Sequence, residues 1–190
     1  MKDSSGTILL HSGLEFNPLW PTPDSFTIED FAHGIHNQHR FGGHTIVDYY
    51  VAQHSIIMAR WFLKRNMIRE AKEALVHEGS EGLGLGDMPT PIKYLPEMEA
   101  YRVLCKNVDY AVRRKVGLLG QPPKAVKELD TRMYVAEAKL VYRNVPQWIL
   151  DTDTSDIIVK PYKNKSEGKK AFMRLFKQLF PDYKEIAITY

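Results

Sequence analysis

The chain has 190 residues, of which 44% are hydrophobic and 26% charged, and its formal net charge is +3 at pH 7. This composition is typical of a globular protein with one sizeable core, and the small charge excess does not predict nucleic-acid binding by itself. The single cysteine, Cys105, excludes an internal disulfide and a cysteine-based zinc site. Because the chain has no long apolar run and its first residues resemble no signal peptide, we expect a cytoplasmic protein without a membrane span.

The first half of the chain predicts short extended segments followed by three helices. The start, TILLHSGLEFNPLWPTPDSF, breaks short apolar stretches with Gly and Pro, which is typical of a small hairpin or extended segments and then a loop. Thr27, followed by acids, predicts the N-cap of a helix over 28–38. Apolar residues at helical spacing predict a second helix over 49–65 and a short buried one over 70–77.

The second half predicts three further helices. A loop rich in Gly and Pro leads to a helix over 94–116, and the pattern over 124–143 is the clearest helix of the chain. The segment IIVKPY (157–162) predicts a strand or an extended piece. Ser166 is expected to cap a last helix that ends at Phe180, with a Phe/Leu face packed on the domain and a basic, solvated face. The fold class is therefore mainly α, a single helical bundle with short extended segments at both ends.

Three of these helices place a metal-competent residue among apolar neighbours. His54 lies within YYVAQHSIIMARWF, His77 and Glu78 end the next helix, and Asp130 lies on the stripe through Val126, Met133 and Glu137. Taken singly, a core histidine or a solvated aspartate explains each of them. Together they follow the way in which helical bundles build metal sites, from imidazoles and carboxylates on separate helices. Such ligands suit zinc, manganese, cobalt or iron.

This order of residues resembles the HD-domain phosphohydrolases, in particular compact bacterial and bacteriophage members that act on deoxynucleotides. The stretches that carry the resemblance are HRFGGHT (39–45), YYVAQHS (49–55), ALVHEGSEGLGLGDMPTPIK (74–93) and VKELDTRMYVAEA (126–138). It implies an HD domain over 1–150 and a C-terminal extension over 151–190. It also implies one divalent metal (Zn, Co, Mn or Mg), a nucleotide substrate and a homo-oligomer, a dimer or larger.

The resemblance also assigns individual residues. His54, His77 and Asp130 match metal ligands, and Glu78 stands where the family has aspartate. The following Gly79 offers backbone freedom to fit the longer side chain. Glu81 matches an acid that handles the proton, and its position three residues after Glu78 places both on one side of a helical turn.

The same comparison predicts the substrate contacts. Arg40 matches an arginine that takes part in catalysis and binds the substrate phosphate, for which its planar fork is suited. Phe41 matches an aromatic residue against the sugar, and Asp87 matches a residue near the 3'-hydroxyl. Lys93, which closes the GDMPTPIK segment, is assigned to the substrate as well.

The predicted activity is hydrolysis of a deoxynucleotide, either of a monophosphate or, with release of triphosphate, of a triphosphate such as dATP. The alternative is a degenerate nucleotide-binding or sensor protein in which Glu78 spoils turnover. A third hypothesis is a nucleic-acid-binding module formed by residues 166–190, which we consider less favoured. His33, His36 and His39 recur at intervals of three, but a solvated helix face is the favoured interpretation over a second metal site.

Overall fold

The computed structural model describes residues 6–185 and is mainly α, as predicted. A short hairpin pairs β1 (Ile8–Leu9) with β2 (Glu15–Phe16) in antiparallel register, Ile8 opposite Phe16. The α-helices are α1 (Ile28–Asn37), α2 (Val51–Leu63), α3 (Ile68–Val76), α4 (Thr90–Lys93), α5 (Glu99–Lys115), α6 (Lys124–Val141), α7 (Gln147–Asp151) and α8 (Lys165–Leu179). Within residues 6–185, no helix has both the length and the hydrophobicity required to cross a bilayer.

The core forms where α1, α2, α3 and α8 pack on one another. Phe31 of α1 meets Phe172 of α8 edge to face, with ring centroids 5.7 Å apart, and both rings are fully buried. The predicted packing of the last helix on the domain is therefore confirmed. Its predicted cap is wrong, because the side chain of Asn164, two residues before Ser166, accepts the hydrogen bond from the Glu167 amide at 2.9 Å.

One predicted helix cap is confirmed, whereas other predicted elements differ from the structure. The N-cap at Thr27 is confirmed, and its side chain accepts a hydrogen bond from the Asp30 amide at 2.9 Å. The predicted helix over 94–116 starts only at Glu99, because Pro96 begins a separate 3₁₀ turn and cannot donate to a preceding helical turn. Residues 157–162 form neither a strand nor a helix, so the predicted strand is not found there.

A close backbone contact sets the position of the turn that follows α3. Gly34 of α1 lies so near Gly82 that a Cβ on Gly34 would come within 1.8 Å of the Gly82 carbonyl oxygen. Gly82 belongs to a π-type turn, Glu81–Leu85, which carries Glu81 at its first position. The missing side chains therefore let α1 hold this turn directly against the core.

Candidate metal centre

The four predicted ligands come together in space. His54 comes from α2, His77 and Glu78 follow α3, and Asp130 lies on α6, with one donor atom of each within 4.8 Å of all the others. His54 Nε2 lies 3.3 Å from His77 Nε2, 3.5 Å from Glu78 Oε1 and 3.2 Å from Asp130 Oδ1. His77 Nε2 lies 3.3 Å from the same Glu78 oxygen.

These separations match those of ligands around one small divalent ion. Ligand distances of roughly 2.0–2.2 Å in a tetrahedral site place neighbouring donors about 3.3–3.6 Å apart. The separations of 3.2–3.5 Å given above lie close to that spacing, and the remaining donor pairs lie within 4.8 Å. The residues present therefore could hold a metal, including Glu78 in place of aspartate.

Both histidines are oriented by their second nitrogen. His54 Nδ1 lies 2.7 Å from Glu137 Oε1, and His77 Nδ1 lies 2.8 Å from the Ala74 carbonyl oxygen. With Nδ1–H donating to these oxygens, the Nε2 lone pair of each ring is directed to the shared cluster. Such support by a carboxylate or a carbonyl is the usual environment of a metal-binding histidine.

The local field favours a positive charge at the cluster. Burial and Arg40 lower the pKa of His54, but Glu137 and Asp130 outweigh them and raise it to about 9. Burial raises the pKa of Glu78, whereas His77, His54 and Arg40 lower it well below its usual range. The Glu78 carboxylate therefore stays ionised, as metal ligation requires, and a bound ion would replace the proton that the carboxylates favour on His54.

Glu137 supports the cluster, although sequence analysis gave it no role. It is fully buried on α6, seven residues after Asp130, and it accepts a hydrogen bond from the Tyr49 hydroxyl at 2.9 Å in addition to its contact with His54. Arg40 forms ion pairs with Glu137 and with Glu78, each at 3.2 Å. The signal in the sequence was a carboxylate on an apolar helical stripe, which is costly unless it is paired.

A cavity of about 660 Å³ opens beside the cluster, and its volume lies in the range of small-molecule sites. Asp130 belongs to both, since it is a donor of the cluster and also lines the cavity. The other lining residues are Arg40, Phe41, His44, Asp87, Met88, Pro89, Thr90, Pro91, Lys127, Thr131, Tyr134 and Tyr142. Three of the four predicted substrate contacts, Arg40, Phe41 and Asp87, therefore lie in one cavity.

Phe41 has a backbone conformation that few residues other than glycine adopt. Its φ is +58°, and its amide donates a hydrogen bond to Asp87 Oδ2 at 3.2 Å. Its ring lies 5.7 Å from that of Tyr134 and 5.4 Å from that of Tyr142, measured between centroids. Sequence analysis missed both tyrosines, because they lie outside the buried stripe of α6 and only the fold brings them to Phe41.

Glu81 does not belong to the four-donor cluster, and Lys93 forms an ion pair with Glu81. The Ser80 hydroxyl donates to Glu81 Oε2 at 2.8 Å, and Lys93 Nζ lies 3.3 Å from Glu81 Oε1. Burial, together with the charges of Glu78 and Asp109, raises the pKa of Glu81 well above its ordinary value, which favours the protonated form. Neither residue lines the cavity, so Lys93 does not share the position of the other predicted substrate contacts.

Gly79 has a different role from the one expected. Its backbone is not in the left-handed region, and a Cβ there would come within 3.0 Å of Asp109 Oδ1 and of Val112 Cγ2. Close packing against α5, and not conformational freedom, therefore explains the glycine beside Glu78.

The upstream histidines do not form a second cluster. Among residues 6–185, the only group with metal-binding geometry is that of His54. His33 stacks on His11 with centroids 3.8 Å apart, and His39 pairs with Asp48 at 3.5 Å. His36 is only 4% exposed, so the expectation of a solvated face is wrong for this residue.

The fold and the cluster define a mainly helical protein with a potential metal centre, which is compatible with an HD-type domain. No family model matches the chain. It is 34% identical over 139 residues to the uncharacterized protein RCAP_rcc00048 of Rhodobacter capsulatus, a match that covers 68% of this chain and 70% of that protein. It is also 31% identical over 116 residues to the uncharacterized protein YfdR of Escherichia coli K12, covering 61% of each. The chain belongs to the family of the Rhodobacter capsulatus protein.

Proposed function

We propose that this protein is an HD-type phosphohydrolase that depends on one divalent metal and acts on a deoxynucleotide. The observation that carries the proposal is the position of Asp130, which belongs both to the four-donor cluster and to the cavity with the aromatic wall. A phosphate ester in that cavity would lie beside the metal centre while its organic part contacts the aromatic rings.

A divalent ion at this centre would polarise phosphoryl oxygens and lower the pKa of water. In the reaction, a water oxygen bonds to phosphorus and the water releases a proton, while the P–O ester bond breaks and the leaving alcohol oxygen takes a proton. Glu81 is proposed to supply that proton through a bridging water, because burial and neighbouring charges favour its protonated form and the side chain itself does not line the cavity. Arg40, placed between the cluster and the cavity, is proposed to orient the phosphate by its planar donors.

One observation favours the nucleotide-binding sensor as a second candidate. The guanidinium of Arg40 is engaged by Glu78 and Glu137, and the residue as a whole is only 8% exposed. If a ligand does not displace these contacts, the cavity would bind a nucleotide without productive contact between Arg40 and phosphate.

Metal analysis followed by a substrate panel tests the proposal. The purified chain should contain close to one divalent ion and should release nucleoside from deoxynucleotides in the presence of Mn²⁺, Co²⁺, Zn²⁺ or Mg²⁺. Binding of nucleotide without turnover would instead support the sensor. The proposal includes a homo-oligomer, which light scattering coupled to size-exclusion chromatography measures.

A further inference from the structure

The cavity beside the metal centre has a charged end and an aromatic end. At the charged end, Lys127 Nζ lies 2.7 Å from Asp130 Oδ2. Tyr134 follows Asp130 by one helical turn, about 6 Å along the axis of α6. There its ring and that of Tyr142 flank Phe41. A ligand that spans the cavity therefore meets the charges of Lys127 and Asp130 on one side and aromatic faces on the other, with Arg40 and Asp87 beside Phe41.

The charged end offers few cations. Four carboxylates, those of Glu137, Glu78, Asp87 and Asp130, act on the Arg40 guanidinium. Lys127 is already paired with Asp130, and no other Lys or Arg within residues 6–185 lines this cavity. In the cavity wall itself two cationic side chains, Arg40 and Lys127, face two carboxylates, Asp87 and Asp130, so one divalent ion leaves a net charge of only about +2.

This balance discriminates between phosphate groups. A phosphate monoester carries about 1.5 to 2 negative charges at pH 7, and a triphosphate carries roughly twice as many. Proteins that bind polyphosphates surround them with lysine, arginine and backbone amides in addition to the metal. Here the lysines that could serve lie elsewhere, since Lys165, Lys169 and Lys170 line a separate groove between α1 and α8.

We propose that the cavity selects a phosphate monoester with a planar ring, of the nucleoside monophosphate class, over the corresponding triphosphate. The inference rests on the proposed function, because the monoester would be the substrate of the metal centre. Addition of water across the P–O ester bond gives a nucleoside and inorganic phosphate, with no further reactant.

The test compares the four deoxynucleoside monophosphates with the four triphosphates at saturating Mn²⁺. Nucleoside release, measured by chromatography, gives kcat/KM for the parent chain. Equilibrium dialysis with Glu81→Gln gives Kd without turnover. We expect at least a tenfold preference for the best monophosphate over its triphosphate in both measurements. Equal or better hydrolysis or binding of the triphosphate would overturn the inference.

Two lysine substitutions test the charge argument directly. Thr131→Lys adds a cation to an exposed position in the cavity wall, and Asn107→Lys adds the same charge to an exposed position on α5 outside the cavity. Thr131→Lys should shift the preference toward the triphosphate by about threefold to tenfold, the scale of one charge pair in partly exposed surroundings. Asn107→Lys should leave the preference unchanged. An equal shift in both variants would contradict a local effect.

The aromatic end is tested with glycerol phosphate, a monoester without a ring. Tyr134→Ala should reduce the preference for the nucleoside monophosphate over glycerol phosphate, whereas Tyr134→Phe should retain it. If the metal-loaded chain hydrolyses no ester, the proposed function fails, and the dialysis alone decides on selectivity. Tighter binding of the monophosphate would then uphold the inference, and tighter or equal binding of the triphosphate would reject it.

Discussion

His54 and His36 are both buried imidazoles, yet they lie in surroundings of opposite character. Each has its Nδ1 beside an oxygen, that of Glu137 for His54 and that of the Ala32 carbonyl for His36. Around His54 carboxylates outweigh the burial penalty and raise its pKa to about 9. Around His36 burial comes first, and Lys169 and His33 add to it, so the pKa is lowered.

The cavity near each histidine shows the same contrast in charge. The cavity at the candidate metal centre has Asp87 and Asp130 in its wall, whereas the groove of about 450 Å³ beside His36 is lined mainly by lysines and histidines and, among residues 6–185, by no carboxylate. His36 Nε2 lies against the Gly168 backbone without a well-formed hydrogen bond, and a Cβ on Gly168 would come within 3.5 Å of it. Burial of a histidine therefore does not identify it as a metal ligand. The groups around the nitrogen that is not hydrogen-bonded to the protein determine whether it can bind a metal.

The largest effect is expected from removal of a donor. Asp130→Ala should abolish metal retention while the fold persists, because the carboxylate is only partly buried and lies at the cluster edge. Elemental analysis after desalting measures the occupancy. His36→Ala, in the other region, should keep the metal. Full occupancy in Asp130→Ala would refute its assignment as a ligand.

The next largest effect, a loss of turnover without loss of metal, is expected for Glu81→Gln. General acid–base groups contribute on the order of 100-fold or more to kcat, and Gln retains the shape of the side chain. Glu167→Gln, on α8, serves as the matched control. A Glu81→Gln variant as active as the parent chain would exclude the proton-donating role.

A smaller effect on metal affinity should follow from Glu137→Gln. The amide still reaches His54 and Tyr49 but removes the charge that orients the imidazole and pairs with Arg40, and outer-shell changes of this kind weaken metal binding roughly 10–100-fold. Competition with a chromophoric chelator measures the affinity. Glu128→Gln, exposed on the same helix, should bind as the parent chain does. Unchanged metal affinity in Glu137→Gln would show that the Glu137 charge does not support the metal ligand.

The smallest expected effect is a pH dependence of stability caused by His36. Its folded pKa lies below the unfolded value near 6.5, so the unfolded chain binds more protons and the free energy of unfolding decreases as pH falls through that range. Urea titrations at pH 7.5 and 5.5 should show a smaller decrease for His36→Phe than for the parent chain. His44→Asn, an exposed histidine, should not change the decrease. An undiminished decrease in His36→Phe would assign it to other groups.

Helical periodicity made the positions of two residues of the candidate metal centre predictable. His54 and Asp130 lie where apolar neighbours at helical spacing predicted burial, and a buried ionisable group requires a partner. The last helix was predictable for the same reason. Its cap was not, because Asn164 and Ser166 both suit an N-cap and the tertiary packing selects between them.

The remaining parts of the site depend on contacts between segments that are distant in sequence. Nothing near Tyr142 in the chain indicates Phe41 as its neighbour, and the close contact of Gly79 with α5 depends on how two helices cross. Lys93 was assigned to the substrate because it closes the GDMPTPIK segment, but its side chain pairs with Glu81 and does not line the cavity. The sequence pattern indicates which face of a helix is buried, whereas the tertiary fold determines which residues contact that face.

The contact between Gly34 and Gly82 has a consequence for which mutations the protein tolerates. Because even a methyl group on Gly34 would overlap the Gly82 carbonyl, position 34 is restricted to glycine although it lies on α1 and belongs to no site. An alanine there would push on the turn that carries Glu81. A genetic screen for loss of the proposed hydrolysis would therefore recover substitutions at position 34 together with those of the candidate site. Such a variant would retain all four donor side chains of the cluster and the side chains that line the cavity.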